Sequence, residues 1–317
     1  MRFSENTQFV ILVCVLVATP FLFQGSYLWH VLTLLCIFAI LSYSLNISYG
    51  YAGQVSFGWC MFWGIGAYAS ALLALRFGWS FWLAAPIACC IASIAALFTG
   101  FIIFRATGLY FALLHMCFAL VAYEVSLNWV SLTSGPMGLR GIPIPSLDLP
   151  ILSEIYFRPG GLSFYYLALA GLLLVIFFTQ RLVASPLGRA ISSIRENPEL
   201  ASSLGVNIFK YNLTAFCIGA FFAGLGGVFY SYYFRAIDPQ IMRMHYVMAA
   251  FVMVIIGGKG TLYGPLLGTA FYVLLPEFLR MAGTVRYLVF GIMLILCVIF
   301  LPGGIWPVIV RKYRQLK

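Results

Sequence analysis

The sequence predicts an all-α integral membrane protein, a multi-pass helical bundle of about 8–10 spans, some broken or re-entrant. Three observations predict it. Of 317 residues, 63% are hydrophobic and 8% are charged, against about 25% charged in an ordinary soluble domain. Mean hydropathy is +1.02. Residues 6–75 contain no Asp, Glu, Lys or Arg, a run with room for three helices of about 20 residues each. A soluble chain this apolar could not cover its own surface with polar groups.

Charges, Pro and Gly divide the chain into apolar spans near 8–24, 27–49, 51–75, 79–103, 106–127, 163–180, 212–234, 244–257, 265–281 and 285–301. The first resembles a signal peptide, but it lacks a small-residue cleavage site and more apolar helices follow at once, so it reads as a retained span. The span 51–75 is rich in Gly and 244–257 is short, which marks both as candidates for broken or re-entrant helices. The whole chain, 1–317, reads as one transmembrane domain.

The net charge of +10 does not point to nucleic acid, because the Lys and Arg sit in short loops and at the C-terminus rather than on one soluble face. With both termini cytoplasmic, eleven of the 18 Lys and Arg fall inside, the bias expected of membrane proteins. The eight cysteines lie within apolar stretches, and no pair has metal-ligand spacing. They read as small hydrophobes, so no metal site is expected. Glu124 and Glu277 fall at span ends, and Glu277 is spaced to pair with Arg280. His115 and Glu124 are out of phase on one helix and form no relay. Lys259 reads as a loop or headgroup charge.

Two connections are long. The external loop 128–162 holds five prolines and cannot be helical throughout. The cytoplasmic loop 181–211 is more informative. Ser185-Pro186 is an N-cap with Pro at the first helical position, opening a helix to about Glu196. Leu187, Ile191 and Ile194 share one face of it, while Arg189, Ser192, Ser193 and Glu196 look elsewhere. Asn197-Pro198 repeats the signature, with Glu199 suited to the positive helix start. Leu200, Ala201 and Leu204 form the apolar side of a second short helix, and Gly205 is its stop. Such a pair either lies in the headgroups or docks a cytoplasmic partner.

Glycines punctuate two further stretches. Gly50, Gly53 and Gly58 flank Gln54 and Ser56. They serve either close helix packing or a broken helix whose freed backbone and polar side chains line a path. Gly257, Gly258, Gly260 and Gly264, around Thr261, echo that spacing and suggest an internal repeat.

Four stretches together carry a resemblance to a family. They are 45–58 continuing to Tyr68, external 133–143, cytoplasmic 188–211, and Gly257 to Pro265 with Gly268. Over most of its length, from about Asn46 to Pro302, the chain resembles the permease subunits of branched-chain amino-acid ABC importers, specifically the LivM-type member of the LivH/LivM family. That resemblance implies two cytoplasmic ABC ATPase subunits, a second homologous permease and a periplasmic substrate-binding protein as partners. It implies an inner-membrane location, ATP hydrolysis on the partners, and no catalytic site or cofactor on this chain. The absence of G-x-x-x-x-G-K-[ST] agrees, since the phosphate-cradling loop must then be elsewhere.

Under the resemblance, Gly188, Arg189, Ile191, Ile194, Arg195 and Glu196, with Asn197, Ala201, Leu204 and Gly205, form the ATPase-coupling element. The two Gly-rich stretches form the translocation path or gate. Gly138, Leu139, Arg140, Gly141 and Pro143 mark the external loop. The chain departs from the family at Ser134, Pro136 and His115. No side-chain set in the sequence resembles an amino-acid carboxylate clamp, so urea or a short amide stays open as substrate. An ion-coupled secondary carrier is the rival from another class, and missing mid-membrane acids argue against it.

Overall fold

A computed structural model describes residues 16, 17, 19, 25–149, 152–278, 286–301 and 303–315. Most of the expected first span and the expected Glu277–Arg280 pair lie outside the described residues. Among the described residues the chain is helical almost throughout, with six helices long and apolar enough to cross a membrane. It is a multi-pass membrane protein.

Helix α1 (Ser26–Leu45) runs on through a π-helical turn, Asn46–Tyr51. The chain is then irregular until α2 (Cys60–Phe77). The expected span 51–75 is therefore broken at its start, and its helix begins only after Gly58. Next come α3 (Phe81–Ile103) and α4 (Leu109–Asn128), then a long proline-rich loop, α5 (Leu162–Ala184), α6 (Pro186–Glu196) and α7 (Pro198–Ser203). The long α8 (Ile208–Phe234) follows, then the shorter α9 (Met244–Gly257), α10 (Gly264–Phe278), α11 (Arg286–Phe300) and α12 (Ile305–Gln315).

Helix α8 is the axis of the bundle, packed along α1, α2 and α3. Small residues make that possible. On α3, Ala84, Ala88, Ala92 and Ala96 recur every fourth residue and are fully buried, while Ile94, Phe98 and Phe101 face outward. The small face turns inward and the large apolar face meets lipid, because lipid offers no hydrophobic penalty and close backbone approach supplies the packing energy. Pro86 lies on the exposed side of α3, one turn in from its start. Helices α9 and α10 form a second pair that packs on α1, and α5 closes the other side of α1.

The loop between α4 and α5 carries more structure than its prolines suggest. It holds a helical turn, Val130–Thr133, and three short strands: β1 (Leu139–Arg140), β2 (Ser146–Leu149) and β3 (Leu152–Tyr156). β2 and β3 pair antiparallel. β1 pairs antiparallel with β4 (Ala236–Ile237), just beyond α8. These strands were not foreseen, because segments of two to five residues among prolines leave no sustained alternating pattern in the sequence.

Candidate coupling and gate site

The loop between α5 and α8 takes the capped shape its sequence predicts. The Gly188 amide donates to Ser185 Oγ at 3.2 Å, and the Leu200 amide donates to Asn197 Oδ1 at 3.0 Å. Each cap satisfies an orphan donor of the first turn. Gly205 takes φ +82°, the left-handed stop that only glycine adopts without strain. Ile191 and Ile194 are buried, and Ile191 packs in a small cluster with Tyr51, Ala52 and Ala215. Gly188 sits tight against the backbone of Leu182 and Val183. Arg189 is exposed and donates to the Ala184 carbonyl at 3.0 Å. Glu196 and Asn197 are exposed.

The second helix differs from its expected face. Ala201 alone is buried, while Leu200 and Leu204 are 59% and 77% exposed. A six-residue helix has too few turns to bury three positions, so two leucines are left pointing away from the bundle.

Arg195 joins this element to the broken helix. Its guanidinium donates to the Gly50 carbonyl at 2.7 Å, and its aliphatic stem lies against Gly53, which takes φ +73°. The π turn frees that carbonyl to accept from outside its own helix. Gly50 also abuts Gly260, so close that a Cβ on Gly50 would run into the Gly260 amide. Asn46 closes the junction. Its Oδ1 accepts from the Gly260 amide at 2.9 Å, and its Nδ2 donates to the Thr261 carbonyl at 3.1 Å. Thr261 Oγ1 donates to the Gly258 carbonyl at 2.7 Å and accepts from the Gly264 amide at 3.1 Å. Gly257 meets the backbone of Gly264 directly. Lys259 lies over the Tyr49 ring, 5.9 Å from its centroid.

The two Gly-rich stretches, some 200 residues apart in sequence, thus touch at one point, and Arg195 of α6 touches both. The sequence marked all these glycines but not Asn46, which is fully buried. A buried Asn beside a Gly-rich segment was the signal available.

Beyond the junction the chain climbs through Gln54, Ser56 and Gly58. Gln54 is buried, with its backbone N–H donating to the Ser48 carbonyl at 3.0 Å and its side-chain Oε1 accepting from Ser48 Oγ at 3.3 Å. Ser56 pairs with Nδ1 of the fully buried His115. Gly58 lies against the His115 carbonyl. His115 is ringed by Trp59, Phe62, Phe111 and Phe216. The sequence scattered the histidines without roles; contact across 59 residues is invisible to helix phase. Nε2 of His115 and Nε2 of Gln54 have no hydrogen-bond partner among the described residues.

In the loop between α4 and α5, Gly138 packs against the Ile237 carbonyl and Leu139 is buried, while Arg140, Gly141 and Pro143 are exposed. Gly141 and Ile142 amides donate to the Arg235 carbonyl at 3.1 and 3.3 Å, and Arg235 Nε donates to the Ile142 carbonyl at 3.0 Å. These residues fasten the loop to the end of α8. Among the described residues no group of three or more His, Cys, Asp or Glu comes together to hold a metal. The arrangement is mechanical: a surface helix pair linked by one arginine to two backbone segments that meet at the broken helix.

Comparison with known proteins gives a consistent picture. The family model described as branched-chain amino acid transport system / permease component matches residues 27–298. The chain is 32% identical over 328 residues to the high-affinity branched-chain amino acid transport system permease protein LivM of Escherichia coli, covering 97% of this chain and 76% of that protein. It is 31% identical over 149 residues to LivH of Salmonella typhimurium, covering 44% of this chain and 46% of that protein. It is 29% identical over 190 residues to the guanosine ABC transporter permease protein NupQ of Bacillus subtilis, covering 53% and 55% respectively. No solved structure matches.

Proposed function

The chain belongs to the family of branched-chain amino-acid transport permease components, and from that premise we propose that it forms one half of the membrane path of an ATP-driven importer. Branched-chain amino acids are the substrates this reading favours. It rests on the chain's similarity to LivM over nearly its whole length. The path is completed by a second homologous permease, two cytoplasmic ABC ATPases drive it, and an external binding protein delivers substrate. Both termini and the α6–α7 pair are cytoplasmic in this reading. ATP hydrolysis belongs to the partners.

One observation carries the mechanism: Arg195 of α6 holds the Gly50 carbonyl, and Gly50 abuts Gly260. The exposed Leu200 and Leu204 supply an apolar knob for an ATPase groove. Closure of the ATPases moves α6 and α7, Arg195 pulls the π turn, and the Gly50–Gly260 contact opens or closes. Such a device is a rigid-body switch between two packings.

The test is ATP-dependent uptake of labelled leucine into vesicles carrying the assembled complex. Arg195→Glu replaces a donor by a carboxylate that repels the Gly50 carbonyl, and Gly205→Pro imposes φ near −65° where +82° is needed. Each is expected to lower uptake about tenfold or more, a barrier change of about 1.4 kcal/mol, with the complex intact. Undiminished uptake in an intact complex removes the coupling role. Guanosine is the second substrate to assay, because NupQ is a relative.

A further inference from the structure

A cavity of about 490 Å³ opens between the start of α2, the middle of α4 and the head of α9. Its volume falls within the range of small-molecule sites, about 300–1,000 Å³. Its wall is almost wholly apolar, with Phe57, Met116, Leu120 and Met242, and one cation, Arg243, stands in it beside Tyr123. The guanidinium donates to Tyr123 Oη at 3.2 Å and lies 5.6 Å from the ring centroid. Among the described residues Arg243 has no carboxylate partner and uses one of its five donors on a side chain.

The placement of this charge is informative. Arg243 is the N-cap residue of the 14-residue α9, whose other end is the Gly257 side of the gate junction. It stands exposed at the head of the cavity, and Tyr123 presents its hydroxyl to it from the last turns of α4.

The cavity floor is part of the gate. Phe57 follows Ser56 directly, its ring 5.4 Å from that of Phe251 on α9. From there the chain runs down to Gly50 and the Arg195 contact.

Taking the proposed amino-acid permease as its basis, we infer that this cavity is the half-site through which substrate passes, with Arg243 receiving the α-carboxylate and the apolar wall receiving the branched side chain. A guanidinium matches a carboxylate in a two-pronged geometry, and Tyr123 orients it. The cavity lining contains no Asp or Glu, so the substrate ammonium is met by a group outside this chain, on the second permease. The carboxylate clamp missing from the sequence is thus a single arginine raised into an apolar notch by a short helix.

The test is ATP-driven uptake of labelled leucine by the complete complex, with its ATPases, second permease and binding protein, in phosphatidylcholine liposomes. Co-purification of the partners reports assembly. Arg243→Gln is expected to reduce uptake about tenfold or more and Arg243→Lys to reduce it less. Leu120→Trp, at a 54% exposed side chain that tolerates bulk, is expected to block uptake by filling the cavity. If the wild-type complex takes up leucine and either Arg243→Gln or Leu120→Trp matches it, the half-site is wrong and the permease reading stands. Full activity of Arg243→Gln is also the result expected of an arginine that serves only to bind lipid headgroups. If the wild-type complex takes up no branched-chain amino acid, both readings fall.

Discussion

At the scale of single residues, two buried polar groups decide how the broken helix is held. Asn46 satisfies the Gly260 amide and the Thr261 carbonyl at once. Replacing it with Ala leaves the Gly260 amide without its acceptor, at about 1–3 kcal/mol for each orphaned group. Asn46→Ala is expected to lower the thermal midpoint of the purified complex; an unchanged midpoint would show that the junction does not need this bridge. His115 does similar work from α4, meeting Ser56 across a ring of aromatics. Ser56→Ala is expected to cost about 1–2 kcal/mol by the same measurement, and Ser56→Thr less. Neither residue was legible as a partner. The glycines could be picked out because a missing Cβ is a property of one position, whereas Asn46 and His115 acquire meaning only from residues 214 and 59 positions away.

At the scale of elements, the α6–α7 helix pair was the most legible part of the chain. Ser185-Pro186 and Asn197-Pro198 state their helix starts in local chemistry, and the i, i+4, i+7 spacing of Leu187, Ile191 and Ile194 states the buried face. The short α7 was legible in its ends but not in its packing, since only Ala201 is covered. That difference makes a prediction about the outward leucines. Leu200→Asp together with Leu204→Asp is expected to leave this chain inserted in the membrane but to reduce the ATPase recovered with it at least several-fold. Quantitative mass spectrometry of the purified complex measures it, and undiminished ATPase would place the docking surface elsewhere. The broken span at 52–59 was legible only as a cluster of glycines around polar residues. The π turn that precedes it depends on long-range contacts that a window of sequence does not contain.

At the scale of the whole molecule, composition alone established a membrane bundle, because 8% charge leaves no other solvent for the surface. Which face of each span turns inward was harder to read. On α3 the larger side chains face out and the alanines face in, the reverse of a soluble helix. This arrangement predicts an asymmetric response to charge. Ile94→Lys, on the lipid side at 51% exposure, is expected to impair insertion by about 2.5–3.5 kcal/mol. The yield of membrane-integrated protein measures this, and wild-type yield would mean that a neighbouring subunit covers that face.

The 27-residue axis α8 has a consequence for the membrane around it. A helix of that length is about 40 Å long, longer than a hydrocarbon core of about 30 Å, so it reaches both boundaries only by leaning or by protruding. Its lower end starts at Asn207, directly after the α6–α7 pair. A thicker bilayer straightens the lean and lifts that end relative to the pair; a thinner one lowers it. Acyl-chain length then becomes a mechanical input to the junction between α8 and the α6–α7 pair. Uptake measured across lipids of increasing chain length is expected to pass through an optimum, and a flat profile would show that α8 protrudes without moving its neighbours.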